Sequence, residues 1–417
     1  MTYKIVLISL IFLLAFCEIL LFSASFQKGS ILLLILFGFS ITTRVSKKAL
    51  VMITLLILYS FYVSISALMF FGSTITSIFA IQSILFCIIF YMWFSPLTLN
   101  IRDIRSMRKL AYFIIILQIL FSLLKLYLVG VDEPFMIGTM SHMAGQLSFI
   151  FPALCLPLLI FMMNEKNKFK TFVLIIFVFL FGIIGEKRSV IFLLPPLLLF
   201  SIYFINYDEK SKFFDKNTIL IIAASIVSVF GIVVGIKYIP SLNIEETRGG
   251  SVSISYAVEY AISYLNMDFE GGLQGTRETA IYNNDTQLGR ITLIKYVYQW
   301  LLSVDLSTAL FGLGYGSVTS NSWVNSNPDI FFEVMGFRGA ISGFILALVE
   351  TGIVGAGMIS SFFIFLFIKL NSEIKKLNTL VAKRWFRMLF IVFLIFCFDF
   401  FFYSTVLLRT FPIPIIF

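Results

Sequence analysis

Two arginines stand where packing alone gives little reason for a cation. Arg188 lies in the turn GEKRS (185–189) between two apolar runs, and Arg290 opens the amphipathic stretch ITLIKYVYQWLLS (291–303). A guanidinium is a planar fork of donors that meets phosphate oxygens two at a time and keeps its charge at any working pH. At the mouth of an apolar helix it lies at headgroup depth, where anionic groups are found. Lys187 either assists Arg188 or pairs with Glu186. Arg338 is a third such cation or a side chain that snorkels to the interface. Lys125, near the outer end of an apolar run, snorkels, serves a ligand, or pairs with Glu18 or Asp399, which also lie within apolar runs. Ionisable groups at such depth point to function by default. His142 is the single histidine. Its neutral imidazole suits deprotonating a hydroxyl near pH 7. The alternative is a loop histidine with no duty.

The stretch LFGLGYGSVTSN (310–321) places Gly312, Gly314 and Gly316 in alternation. It is not a nucleotide cradle. The third glycine of G-x-G-x-x-G is missing from its place, no βαβ unit surrounds it, and no Walker lysine follows. Two readings stay open. The tract is a tight turn ending a helix over 291–308, or it lets bare backbone approach a bulky ligand that a Cβ would push away. Metal chemistry has little to draw on. One histidine excludes a His-based site, and Cys17, Cys87, Cys155 and Cys397 all lie inside apolar runs, as buried free thiols do. No carboxylate cluster is evident, so neither a metal nor a cofactor is expected.

What positions these residues is a set of membrane helices. Charged residues make up 13% of the 417, against about 25% in soluble domains. Mean hydropathy is +1.00. About eleven apolar runs, each near the ~20 residues needed to cross a bilayer, fall at 5–24, 30–43, 49–71, 75–94, 110–130, 146–163, 172–185, 189–206, 218–236, 340–368 and 388–408. The first reads as a retained helix, not a cleaved signal. The tenth is long, and reads as a surface helix joined to a span at Gly352–Gly357. With the N-terminus in the cytoplasm, Lys4 and the loops 44–48, 95–109, 164–171, 207–217 and 369–387 carry 20 of the 31 Lys and Arg residues. The short outer loops 25–29, 72–74 and 131–145 carry Lys28 alone. That is the positive-inside pattern. It accounts for most of the +9 net charge and leaves no basic, aromatic-interleaved patch for nucleic acid. The turn with Lys187 and Arg188 breaks the pattern by facing outward. The expected fold is all-α and polytopic, with ten to twelve spans. Helices one to nine occupy 1–237, a large and partly helical outer segment occupies 238–337, and the last two helices occupy 338–417.

The order of features in that outer segment carries a resemblance. Arg290, Trp300, the tract Gly312, Gly314, Gly316, and then a helix ending in Glu350, Gly352 and Gly355 follow one another. GEKRSVIFLL (185–194) and IGTMSHMAGQLSFIFP (137–152) open spans after polar turns. Over roughly 130–370 the chain resembles the O-antigen polymerase and O-antigen ligase family of envelope glycosyltransferases. The resemblance implies a multi-pass enzyme of the bacterial inner membrane that polymerises undecaprenyl-diphosphate-linked repeat units on the periplasmic face. A flippase and a chain-length regulator are implied as partners. The leaving group would be a lipid diphosphate, so fixed cations are wanted where its charge develops. Arg188 and Arg290 fit that catalytic role, with His142 as a candidate base. Lys187, Arg338, Lys125 and the three glycines are candidate substrate contacts. Glu333, Asp329 and Glu186 are further candidate bases. The family's ligases carry a histidine just ahead of the final Glu-x-Gly helix. Here Ile341 and Ser342 stand in that region and no histidine occurs over 238–417, which favours polymerase over ligase. From other classes, a lipid-linked oligosaccharide flippase and a non-catalytic assembly scaffold remain as alternatives.

Overall fold

The structure is a computed structural model that describes residues 47–71, 101–129, 144–163, 168–185, 188–206, 213–265, 287–288, 290–315, 317, 338–339 and 341–403. Within these, helices run at Lys47–Phe71 (α1), Ile101–Val129 (α2), Ala144–Met162 (α3), Lys168–Ile184 (α4), Arg188–Asn206 (α5) and Phe213–Tyr238 (α6). After a short 3-10 turn at Pro240–Leu242 come Ile254–Leu265 (α7), Arg290–Ser303 (α8) and Leu306–Phe311 (α9). The chain closes with Gly343–Lys376 (α10) and Leu380–Phe398 (α11), which runs on into a π turn at Asp399–Tyr403. The remaining regular element is one two-residue parallel pairing, Gln287–Leu288 (β1) with Arg338–Gly339 (β2).

Five of these stretches are long and apolar enough to cross a membrane: Lys109–Leu128, Arg188–Asn206, Ile221–Tyr238, Gly343–Lys376 and Leu380–Tyr403. A 19-residue helix such as α5 rises about 28 Å, close to the ~30 Å of a hydrocarbon core. In that medium a helix satisfies its own backbone groups, and even proline is tolerated where neighbours enclose it. Pro152 and Pro157 inside α3 and Pro195 inside α5 are buried accordingly, while Pro196 of α5 is exposed. The exposed sides are apolar, as on α6, where Ile222, Ile226, Val229, Phe230 and Val233 all face outward. A water-soluble helix would place polar groups there.

Eight of the eleven expected runs are helical. The other three, at 5–24, 30–43 and 75–94, lie outside the described residues. Two boundaries differ from expectation. Helix α2 starts at Ile101, so the basic stretch 101–109 is helix instead of loop, and α10 continues to Lys376. The start of α10 is enclosed by protein: Gly343, Ile345, Leu346, Ala347, Val349, Glu350 and Thr351 are all buried. The chain does break where expected, at Gly352.

The packing forms two compact units. One comprises Met1–Gln27, Leu99–Tyr260 and Phe367–Ile395, and the other Lys28–Thr98, Ala261–Leu366 and Phe396–Phe417. In the first, α5 packs on α6 and α3, α4 packs on α3 and α6, and the Tyr112 hydroxyl of α2 shares a 2.6 Å hydrogen bond with Thr171 of α4. In the second, Leu293 and Val297 of α8 form a core with Ile345, Leu346 and Val349 of α10. Phe363 stacks on Phe400, with ring centres 5.0 Å apart.

Helices α5 and α6 meet closely at Gly235, where an added Cβ would strike the side chain of Ile191. Replacing Gly235 by Val should therefore overpack this seam. Thermal unfolding in detergent should show a loss of about 1–3 kcal/mol.

Candidate functional site

In the first unit Arg188 is the first residue of α5, directly after the turn at Gly185. Three elements fix its guanidinium. It begins α5, its Nε donates to Ser241 Oγ at 2.8 Å in the turn after α6, and its Cζ lies 4.6 Å from the centre of the Tyr260 ring in α7. Tyr260 in turn leans on Tyr256, with ring centres 6.2 Å apart. The floor beneath is apolar: Ile191, Ile236, Ile239, Leu242 and Ala257 form one buried cluster, with Phe192 and Tyr260 packed against it. The charge is therefore oriented before any ligand arrives. One of five N–H donors is engaged by Ser241.

Ser241 owes its place to Asn243, a residue that sequence reading passed over. Asn243 is fully buried. Its amide donates to the carbonyls of Thr247 at 2.8 Å and Ile239 at 3.3 Å and reaches those of Ile236 and Lys237 at 3.4 Å, while its Oδ1 accepts from Thr247 N at 3.2 Å. Those of Ile236 and Lys237 are among the carbonyls that the end of α6 leaves without helical partners. Gly249 N donates to Lys237 O at 2.9 Å and completes the corner. An Asn soon after a helix and a Pro, followed by Gly-Gly, was the available signal.

The glycine tract has a clear partner in the second unit. Gly352, at φ 65°, interrupts α10 and orphans the last carbonyls of its first part. Leu313 N donates to Val349 O at 2.9 Å, Gly314 N to Glu350 O at 3.0 Å, and the Tyr62 hydroxyl to Thr351 O at 2.6 Å. The approach is main chain on main chain. An added Cβ at Gly312, whose φ is 77°, would lie 2.6 Å from Gly352 N, and one on Gly352 would meet the backbone of Leu310. The bare backbone at Gly312 thus faces the chain's own broken helix. The N–H of Gly314 is committed to the same clasp, and so is unavailable to a phosphate. The tract is also set from upstream. Asp305 caps α9, accepting from Thr308 N at 3.0 Å, from the Thr308 hydroxyl at 2.7 Å and from the Ser307 hydroxyl. The expected helix over 291–308 is two helices, because Asp305 starts a second one.

The remaining candidates are placed as follows. Arg290 is the first residue of α8. Pairing of Gln287 with Arg338 brings the backbone of Arg338 beside the approach to Arg290, so two candidate cations share one short stretch of the fold. Lys125 sits half-buried near the end of α2. Lys187, His142 and Gly316 lie outside the described residues, as do Glu18, Glu186, Asp329 and Glu333. Glu350 and Asp399 are both buried, Glu350 just before the break and Asp399 at the head of the π turn. Trp300 packs against the core between α8 and α10. Cys155 and Cys397 are free thiols. Among the described residues, no group of three His, Cys, Asp or Glu side chains comes together as a metal site. No family model matches the chain, and no curated protein sequence matches it.

Two measurements check this geometry. Gly312→Ala should cost at least about 1–3 kcal/mol of stability, since it adds a side chain at positive φ against a backbone. Gly357→Ala, which meets nothing within 4 Å, should be neutral or gain about 0.5–1 kcal/mol. The second concerns Asp305, whose carboxyl is held well below the usual carboxylate range by the Ser307 hydroxyl and then by Thr308. A lowered folded pKa stabilises above the unfolded value, and that contribution is lost as pH falls through the folded value. The excess thermal stability of wild type over Asp305→Ala should be full at pH 7 and shrink as the pH drops below about 4.

Proposed function

We propose that the protein is a polysaccharide polymerase of the bacterial cytoplasmic membrane, with about eleven spans, a cytoplasmic N-terminus and a periplasmic segment at 238–337. It moves a growing glycan from one undecaprenyl diphosphate onto the next lipid-linked repeat unit. The observation that carries the reading is the posture of Arg188, clamped by Ser241 and Tyr260 at the first residue of a helix long enough to span. A cation at a helix N-terminus opposes the helix dipole. Arginine and dipole together favour an anion at that end.

In the reaction an acceptor hydroxyl oxygen attacks the anomeric carbon. The bond from that carbon to the diphosphate oxygen breaks, the oxygen keeps the electron pair, and the hydroxyl proton passes to a base or to solvent. Arg188 stabilises the charge that grows on the leaving diphosphate. It is already oriented, so little reorganisation is needed at that moment. Arg290 at the head of α8 is the candidate second catalytic cation, and Arg338 a candidate substrate contact. Lys187 and Lys125 steady the carrier, and His142 is the candidate base. Gly312 and Gly314 hold the break in α10. A diphosphate is a good leaving group, so the mechanism rests on fixed charge and takes no metal or cofactor.

The experiment is turnover of a lipid-diphosphate-linked repeat unit by protein in proteoliposomes, read as product length on a gel. Wild type should give a ladder. Arg188→Ala should lower the rate by about 10²–10³, the usual loss when one preorganised donor is removed. Arg188→Lys should restore part of it, because charge returns without the fork. A single transfer product would mark a ligase, and a full ladder from correctly folded Arg188→Ala would refute the role given to this arginine.

A further inference from the structure

Helix α5 ends as it begins, with an arginine held at a polar side chain, but here the arginine comes from another helix. Arg384 of α11 donates from Nη2 to Oδ1 of Asn206, the last residue of α5, at 2.7 Å. Its Nε is enclosed and has no hydrogen-bond partner. One turn further along α11, Arg387 is 7% exposed and holds its Cζ 5.8 Å from the centre of the Phe204 ring. Residues three apart share a helix face, so both guanidinium groups belong to the seam between α5 and α11. Trp385, between them in sequence, packs edge-on against Phe161 of α3 at 5.2 Å. All of these residues lie in the first unit.

This seam has the makings of a headgroup site. Phe204 continues into Phe200 at 5.5 Å and Phe390 at 5.6 Å, and Phe200 and Tyr203 are 41% and 48% exposed. Apolar surface for acyl chains therefore runs directly below the two cations. The contacts with Asn206 and Phe161 bring the start of α11 to the same side as the ends of α5 and α3. On that side the described helix ends carry Lys168 and Lys170 of α4, Lys375 and Lys376 of α10, and Lys383 of α11. Basic seams between membrane helices on such a face bind anionic headgroups. Arg188 stands at the far end of α5, about 27 Å away along the helix, so this phosphate is not the one that would react there.

We infer that Arg384 and Arg387, with Asn206, bind the phosphate of an anionic phospholipid from the adjacent leaflet. The two arginines supply charge and Asn206 fixes the fork of Arg384. The aromatic seam selects a lipid over a soluble phosphate. Native mass spectrometry of protein released from nanodiscs of mixed phosphatidylcholine and phosphatidylglycerol reads the lipid that stays bound. Wild type should retain phosphatidylglycerol in preference. Arg384→Gln and Arg387→Gln should each cut retention about fivefold, which is roughly 1 kcal/mol per charge. Lys375→Gln with Lys376→Gln, on the exposed tail of α10, should change nothing. Arg384→Lys keeps the charge and loses the fork, so it should show a partial loss even if the glutamine variants do not fold. The inference is overturned by undiminished retention in folded glutamine variants, or by no loss in Arg384→Lys. An equal loss from the lysine pair would overturn it too, by exposing diffuse attraction. Complete displacement by inorganic phosphate would overturn it as well, marking a soluble-anion site.

Discussion

Backbone polar groups buried away from water have no solvent to turn to, and each one left unsatisfied costs several kcal/mol. The break in α10 at Gly352 is therefore possible only because Leu313, Gly314 and Tyr62 bring donors to Val349, Glu350 and Thr351. That requirement shapes the second unit. The tract must pass close enough for backbone to touch backbone, which restricts positions 312 and 352 to glycine. The tract must also arrive in register, which Asp305 arranges by starting α9 where it does. Helix α8 must lie against the buried first part of α10, which the stripe of Leu293 and Val297 achieves.

The first unit meets a different demand. A charged side chain at the mouth of a span is comfortable only with its head toward polar surroundings. Arg188 is instead pinned, by a hydroxyl and by an aromatic face, above a dry cluster of isoleucine and leucine. Holding a flexible side chain in one posture opposes its conformational entropy. Around Ser241 the chain is tied by Asn243, whose amide reaches the α6 carbonyls of Ile236 and Lys237 and those of Ile239 and Thr247. A fixed cation at a helix start is what an anionic ligand requires, and packing alone would not call for one.

Much of this was legible in the chain. Apolar runs foretold helices, because a stretch of some twenty such residues has few stable alternatives in lipid. The amphipathic run at 291–303 emerged as α8 with its buried stripe at Leu293 and Val297. The break near Gly352 was expected too, since glycine is a weak helix former. What the break was for was not legible. Gly312 and Gly352 stand forty positions apart, and nothing in either motif names the other as its partner. The burial of residues 343–351 escaped notice for the same reason, as an apolar helix reads alike whether lipid or protein surrounds it. Asn243 escaped because its duty is to the carbonyls of residues whose identity does not matter.

The sequence by itself determined that this is a helical membrane protein, since hydropathy and helix length depend on local composition alone. It also singled out Arg188, because a cation in a short turn between two apolar runs is visible without a fold. Only the tertiary structure decided that the glycine tract clasps a broken helix, that Ser241 and Tyr260 hold Arg188, and that Arg384 meets Asn206. Those are pairings between distant segments, and they follow from the close approach of backbones and side chains that composition and spacing leave undetermined.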